Sequence, residues 1–390
     1  MSLSLATSSW DEKEIEAIHR VISSDRFTMG QEVLKFEKDF ADFFGTEYCV
    51  MSNSGSSANL LAIAALIHSK RHDLNPGDEV LVPAVSWSTT YFPLHQYGLK
   101  IRFVDIDINT LNFDLTKLEA AITTSTKMIL AVNLLGNPND FNIIKNICVN
   151  NNLILIEDNC ESMGATISGK QTGTFGLLGT YSSFFSHHIS TMEGGLTVTD
   201  CEELYHIMLS IRAHGWTRNL PMINHVSNKS DDAFTESFRF VLPGYNLRPL
   251  EMSGAIGQEQ LKKLPKLIDG RRRNGKIFQE IFSKIDRIKI QKEFGESSWF
   301  GFAIILDEGI DRDLLIKELS NEGIEVRPIV TGNFVRNPVV DLMNYDVYGE
   351  LTNADKIHEN GFFFGNHHYP IEEELHKISK IIKSYIEGIL

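Results

Sequence analysis

The chain has 390 residues, with 37 Lys plus Arg against 51 Asp plus Glu and a net charge of -14. That length exceeds what one small core organises, so two domains sharing an extensive apolar interior are expected. The acidic balance argues against nucleic acid or an anionic membrane as main partner, so any polyanionic ligand has to be held locally.

In chain order, Glu14 to Ile22 reads as an amphipathic helix, and Val33, Phe36, Phe40 and Phe43 continue at helical spacing. Short apolar runs at 48–51, 79–82, 101–104, 128–133, 153–157, 181–184 and 196–199 are strand candidates, most of them separated by helical segments. This alternation predicts right-handed crossovers and an α/β fold: a mainly parallel seven-stranded sheet with helices on both faces. Beyond Pro249, helices at 250–264 and 266–285 precede strand-like 299–306 and 323–328. The expected division is a large domain over 1–250 and a smaller C-terminal α+β domain over 251–390. No apolar run is long enough for a bilayer, and Met1 to Leu5 lacks the basic start and apolar core of a signal peptide, so a cytoplasmic location is expected. Cys49, Cys148, Cys160 and Cys201 lack the short spacings of a zinc or iron-sulfur site and read as reduced thiols, with no metal expected.

Several segments gather at predicted strand ends, where open α/β sheets bind ligands. Asn53 to Asn59 leads from a strand into an apolar helix, and its Gly55-Ser56-Ser57 suits a phosphate at a helix N-terminus, although a plain N-cap explains the same residues. Glu157-Asp158 ends a buried run, where a carboxylate can pair with a cationic ring nitrogen or simply cap a turn. Trp87 follows another strand and could cover a flat ligand or fill a core. Ser183 to Gly195 contains His187-His188, by itself an ordinary polar pair in a loop.

Taken together and in order, Gly55 to Ala58, Trp87, Glu157-Asp158, Ser182 to Gly195 and Gly244 to Arg248 resemble the motifs of the fold-type-I, vitamin-B6-dependent (PLP) sugar aminotransferase family, over essentially the whole chain. Counting back from Glu193-Gly194-Gly195, His187 holds the position of that family's cofactor-binding lysine. An imidazole moves protons but cannot tether an aldehyde, so the resemblance points to dehydration rather than amino transfer. Together with Asn133 to Pro138 and Arg212 to Asn219, the segment is similar to members that remove the C3 hydroxyl of a GDP-bound 4-keto-6-deoxy sugar.

What the resemblance implies is specific. Pyridoxal 5'-phosphate or pyridoxamine 5'-phosphate is bound noncovalently, without an iron-sulfur cluster. Asp158 faces the pyridine nitrogen, Trp87 the ring, Glu161 the ring hydroxyl, and Ser56, Ser57 and Ser182 the phosphate. Asn246 reaches the phosphate of a neighbouring subunit, giving a homodimer with a shared active site. His187 is the expected base and His214 a second catalytic candidate; Arg218, Arg248 and Arg327 are candidates for the diphosphate of a GDP-sugar substrate. L-glutamate restores the amine form of the cofactor. Two rivals stand beside this reading: a sugar-nucleotide 4-aminotransferase, with a lysine such as Lys170 replacing the missing one, and a noncatalytic B6-binding regulatory protein.

Overall fold

The computed structural model describes residues 2–389. Helices α1 (Glu12–Ser24) and α2 (Gln31–Phe44) precede β1 (Tyr48–Ser52), α3 (Gly55–Ile67), β2 (Glu79–Pro83), α4 (Ser88–Gln96), β3 (Lys100–Val104), α5 (Leu115–Ala120), β4 (Thr126–Val132), α6 (Phe141–Asn151) and β5 (Ile154–Asp158). A short hairpin, β6 (Thr166–Ile167) and β7 (Lys170–Gln171), leads to β8 (Leu178–Ser182), β9 (Gly195–Thr199), α7 (Glu202–Arg212) and α8 (Ala233–Glu236). The remainder is α9 (Glu251–Phe282), β10 (Ile288–Ile290), β11 (Gly301–Leu306), α10 (Arg312–Asn321), β12 (Val326–Arg327), β13 (Tyr345–Val347), α11 (Thr352–Asn360), β14 (Gly361–Gly365) and α12 (Glu372–Ile389). No described helix is long and apolar enough to cross a membrane.

The main sheet has the order β1-β9-β8-β5-β4-β2-β3-β13. It is parallel from β8 to β13, while β9 runs antiparallel to both β1 and β8. All seven expected strands are present, but the sheet has eight: β13 returns from the C-terminal region to pair with β3. The strand expected at 181–184 lies earlier, at Leu178–Ser182, because its buried stretch begins at Leu178 and the chain turns toward the cavity after Ser182. A second sheet, β10-β11-β14-β12, forms the smaller unit, with Phe278, Phe282, Phe302 and Phe364 buried behind it.

Local chemistry accounts for many of the boundaries. Asp11 and Glu14 form a reciprocal capping box at the start of α1. Pro265 does not divide the C-terminal helices as expected; it lies inside the single 32-residue α9. Proline removes one helical N–H, but Leu261, Leu264, Leu267 and Ile268 around it are buried against α2 and the sheet, and this packing outweighs one lost hydrogen bond. The expected division at residue 250 therefore falls at the start of a helix, of about 48 Å by its rise per residue, that packs on α1, α2 and α12. The N-terminus also crosses that division, since Leu3 pairs with Ile324.

A buried ion pair joins α7 to α2 behind β1. The Arg212 side chain is 1% exposed and bonds to Glu37 and to the Met51 carbonyl, while Glu37 accepts from the Met51 amide at 2.7 Å. Removing the cation alone leaves a carboxylate stranded in a dry interior. Arg212→Met is expected to lose about 3–5 kcal/mol of stability in urea unfolding, and a loss below about 1 kcal/mol would contradict this reading of the pair.

Candidate active site

The strand ends open onto a cavity of about 530 Å³ between the large sheet and the small one. Alternation along β5 decides which of its terminal acids faces this cavity, since successive strand side chains point to opposite sides. Asp158 lines it; Glu157 turns away and accepts the amides of Gly173, Phe175 and Gly176. Asp158 is buried and multiply bonded. Its Oδ2 accepts from Asn59 at 2.9 Å and from Thr90 at 2.7 Å, and its Oδ1 from the Cys160 amide at 3.1 Å. Thr180 donates to Asn59 Oδ1 at 2.6 Å, which orients that amide. No arginine or lysine pairs with Asp158 among the described residues, so its charge is available to a cationic ligand group.

The start of α3 forms a cradle beside this carboxylate. Ser54 is the N-cap and accepts from the Ser57 amide at 3.1 Å. Ser56 Oγ donates to Thr89, and Ser56 and Ser182 both line the cavity. Gly55 allows this approach, because a Cβ there would lie 2.7 Å from the Ser182 Cβ. Ser57 is not among the lining residues; its hydroxyl donates to Asn53 at 2.6 Å. Trp87 stands just before α4 at the cavity, 58% exposed, which is unusual for so large an apolar ring. The described lining thus contains an anion, a helix N-terminus with hydroxyls and an aromatic plate, the donor set that a phosphorylated pyridinium ring requires.

His187 closes the other side. Its amide donates to Phe184 O at 2.9 Å, and its ring lies 5.1 Å from the Phe300 ring. Its Nδ1 is 3.4 Å from Ser186 Oγ. Burial, reinforced by the Arg271 charge, pushes its pKa down to about 4, so the imidazole is neutral at pH 7. Arg271 comes from α9 and donates to the carbonyls of Phe300 and Asn366. His188 points the other way, fully buried, with Nε2 3.2 Å from the Ser298 carbonyl, which makes that nitrogen the donor. Glu161 lines the cavity and accepts from the Leu135 amide at 2.9 Å; burial and the nearby Asp158 charge push its pKa up to about 7.

The remaining sequence candidates divide. Arg327 lines the cavity. His214, Arg218, Asn246 and Arg248 do not; they group around Trp216, with Arg218 4.4 Å and Arg248 5.8 Å from its ring, and Arg248 donating to Asn246 Oδ1. Lys170 sits on the β7 hairpin over the Phe175 ring, away from the cavity. Sequence reasoning missed Asn59, Thr90, Phe300 and Arg271. Asn59 carried a signal, being one helical turn beyond Ser56 on the same face of α3; Phe300 and Arg271 are brought in by tertiary packing alone.

The fold and this cavity define an enzyme of the fold-type-I class. The chain belongs to the DegT/DnrJ/EryC1/StrS aminotransferase family, which it matches over residues 8–383. It is 61% identical over 383 residues to GDP-4-keto-6-deoxy-D-mannose 3-dehydratase of Yersinia pseudotuberculosis, covering 97% of this chain and 98% of that one. A solved GDP-4-keto-6-deoxymannose-3-dehydratase with a trapped PLP-glutamate geminal diamine superposes with a TM-score of 0.96 at 56% identity, covering 98% of this chain and all of the other. A histidine-to-asparagine mutant of such an enzyme, with bound GDP-perosamine, gives the same score, identity and coverage.

The neutral, half-buried His187 has a consequence for stability. At this one position the unfolded chain binds more protons than the folded one between about pH 4 and the ordinary histidine value of 6.5, so the stability from His187 is complete above 6.5 and lost as pH falls toward 4. In calorimetry of the cofactor-free protein, His187→Asn is expected to show a smaller drop in Tm than the parent over that window. Equal drops would mean that the ring is not held in its neutral form.

Proposed function

We infer that the chain removes the C3 hydroxyl of GDP-4-keto-6-deoxy-D-mannose, giving GDP-4-keto-3,6-dideoxy-D-mannose, with release of ammonia and with L-glutamate restoring the amine form of a vitamin B6 cofactor. One observation carries this reading: an imidazole, His187, and no lysine faces the cavity among its described lining residues, while the rest of a cofactor cradle is intact. The relatives' names and contents support it, since they include the dehydratase itself, PLP with glutamate, and a GDP-sugar.

When bound, pyridoxamine phosphate supplies the amine that engages the 4-keto group and a ring that accepts electrons. Asp158 keeps the ring nitrogen protonated, Trp87 covers the ring face, and the α3 N-terminus with Ser56 and Ser182 holds the phosphate, Ser57 bracing the turn through Asn53. Neutral His187 takes up a proton at Nε2, the nitrogen turned away from Ser186, and Phe300 limits the tilt of its ring. Glu161, uncharged below about pH 7, holds a proton beside the ring hydroxyl, with Oε2 occupied by the Leu135 amide. The aminotransferase reading loses its rescuing lysine, because Lys170 lies over Phe175. The noncatalytic reading has no explanation for the retained cradle around a poised base.

The site is shared by two copies of the chain. Asn246 is exposed outside its own cavity, in the group around Trp216 that holds Arg218, Arg248 and the exposed Phe238 and Phe240. There it is free to reach a neighbour's phosphate site.

The direct test is incubation with GDP-4-keto-6-deoxymannose, glutamate and cofactor, followed by mass spectrometry of the sugar. A dideoxy sugar with ammonia is expected; a stable amino sugar would establish the aminotransferase instead. His187→Asn is expected to lower dehydration by about 10²- to 10⁴-fold while cofactor still binds, and full turnover in this variant would place the base elsewhere. Mixing inactive His187→Asn with inactive Asn246→Asp under subunit exchange is expected to regenerate activity, since one site of each mixed dimer is then intact. A mixture that exchanges subunits but stays inactive would confine the site to one chain.

A further inference from the structure

Arg327 is the one lysine or arginine among the described residues lining the cavity. It lies in β12 opposite Phe363 of β14, another lining residue, and directly paired strand residues project from the same sheet face. This register turns both side chains toward the cavity. Among the described residues, no carboxylate lies within ion-pair distance of the guanidinium, whose Nη1 donates to the Val326 carbonyl at 2.9 Å. Glu325, two positions earlier, is engaged by the Leu5 amide at 3.0 Å. Arg327 is exposed whereas Asp158 is buried, so the guanidinium stands at the mouth of the cavity and the carboxylate at its floor.

The same lining carries the carboxyl groups of Asp158 and Glu193, together with Glu161, which is uncharged below about pH 7. A dicarboxylate amino donor entering this acidic space is repelled unless a cation meets it. Its amine has to come to the part of the cavity that His187 faces. The α-carboxylate, on the same carbon as the amine, travels with it into the interior; the side-chain carboxylate trails toward the mouth.

We propose that Arg327 binds the side-chain carboxylate of the amino donor and thereby selects glutamate over donors that lack this group. The proposal rests on the functional reading above and deepens it. A guanidinium suits the task because its planar fork meets a carboxylate bidentately and stays charged at every working pH. It also assigns Arg327 away from the diphosphate of the GDP-sugar, the role for which sequence alone made it a candidate.

The test is the conversion of pyridoxal-loaded protein to its pyridoxamine form, followed by absorbance, with glutamate or alanine as donor. In Arg327→Gln the KM for glutamate is expected to rise about 10- to 100-fold, the size of one lost charge-assisted hydrogen bond, while alanine is used as before. Arg327→Lys is expected to recover part of the loss. Calorimetric binding of glutarate, a dicarboxylate with no amine to transfer, is expected to weaken in Arg327→Gln and to return in part in Arg327→Lys. Equal losses for alanine and glutamate would overturn the proposal in favour of an α-carboxylate contact, and a rise confined to the KM of the GDP-sugar would overturn it in favour of the diphosphate. Alanine turnover reports that the variant is folded. Failure of the functional reading would appear separately, as a parent protein that reacts with glutamate but does not dehydrate the sugar.

Discussion

The buried carboxylate of Asp158 is the constraint around which the site is arranged. A lone anion in a dry interior is costly unless hydrogen bonds surround it. Here the donors come from three connections: Asn59 on α3, Thr90 on α4, and the Cys160 amide in the turn after β5. Satisfying one charge thus draws together three strand ends, and the same movement brings the α3 N-terminus and Trp87 to the rim of the cavity. The carboxylate is hydrogen-bonded by neutral donors and, among the described residues, has no protein cation beside it, which leaves it open to a cationic ligand group.

The placement of His187 depends on the other half of the molecule. His187 belongs to the loop after β8, but its ring rests on Phe300 at the entrance to β11, and Phe300 is held by Arg271 from α9. The proton affinity of His187 is therefore set jointly by burial against the small sheet and by a cation on the long helix. Arg271 keeps its charge although burial pushes its pKa down to about 10. The adjacent His188, facing Ser298, ties the same loop to the same segment. Both histidines thus belong to one junction, His187 facing the cavity and His188 tying the loop to the small sheet.

Much of the large domain could be read from residue pattern, because seven short apolar runs alternate with helical stretches and each carries its own periodicity. Three features could not. The strand β13 has only three half-buried residues and becomes a strand only through its pairing with β3. Pro265 reads as a helix break until packing against α2 compensates for it. Residue pattern alone does not separate the two acids Glu157 and Asp158, which the family resemblance did; the phase of β5 sends one behind the sheet and the other into the cavity.

By itself, the sequence determined the chemical alphabet of the site: an imidazole in place of an amine at 187, an acid at the end of β5, and a serine-rich turn before an apolar helix. These are local properties, carried by residue identity and short spacing. The tertiary structure decided which of them meet. It set Phe300 and Arg271 against His187 across more than eighty residues of chain, turned Arg327 toward the cavity through its pairing with β14, and left His214, Arg218, Asn246 and Arg248 outside their own cavity. Such long-range proximity comes from strand register and helix packing, which depend on the whole buried core and leave no periodic trace at the residues they bring together.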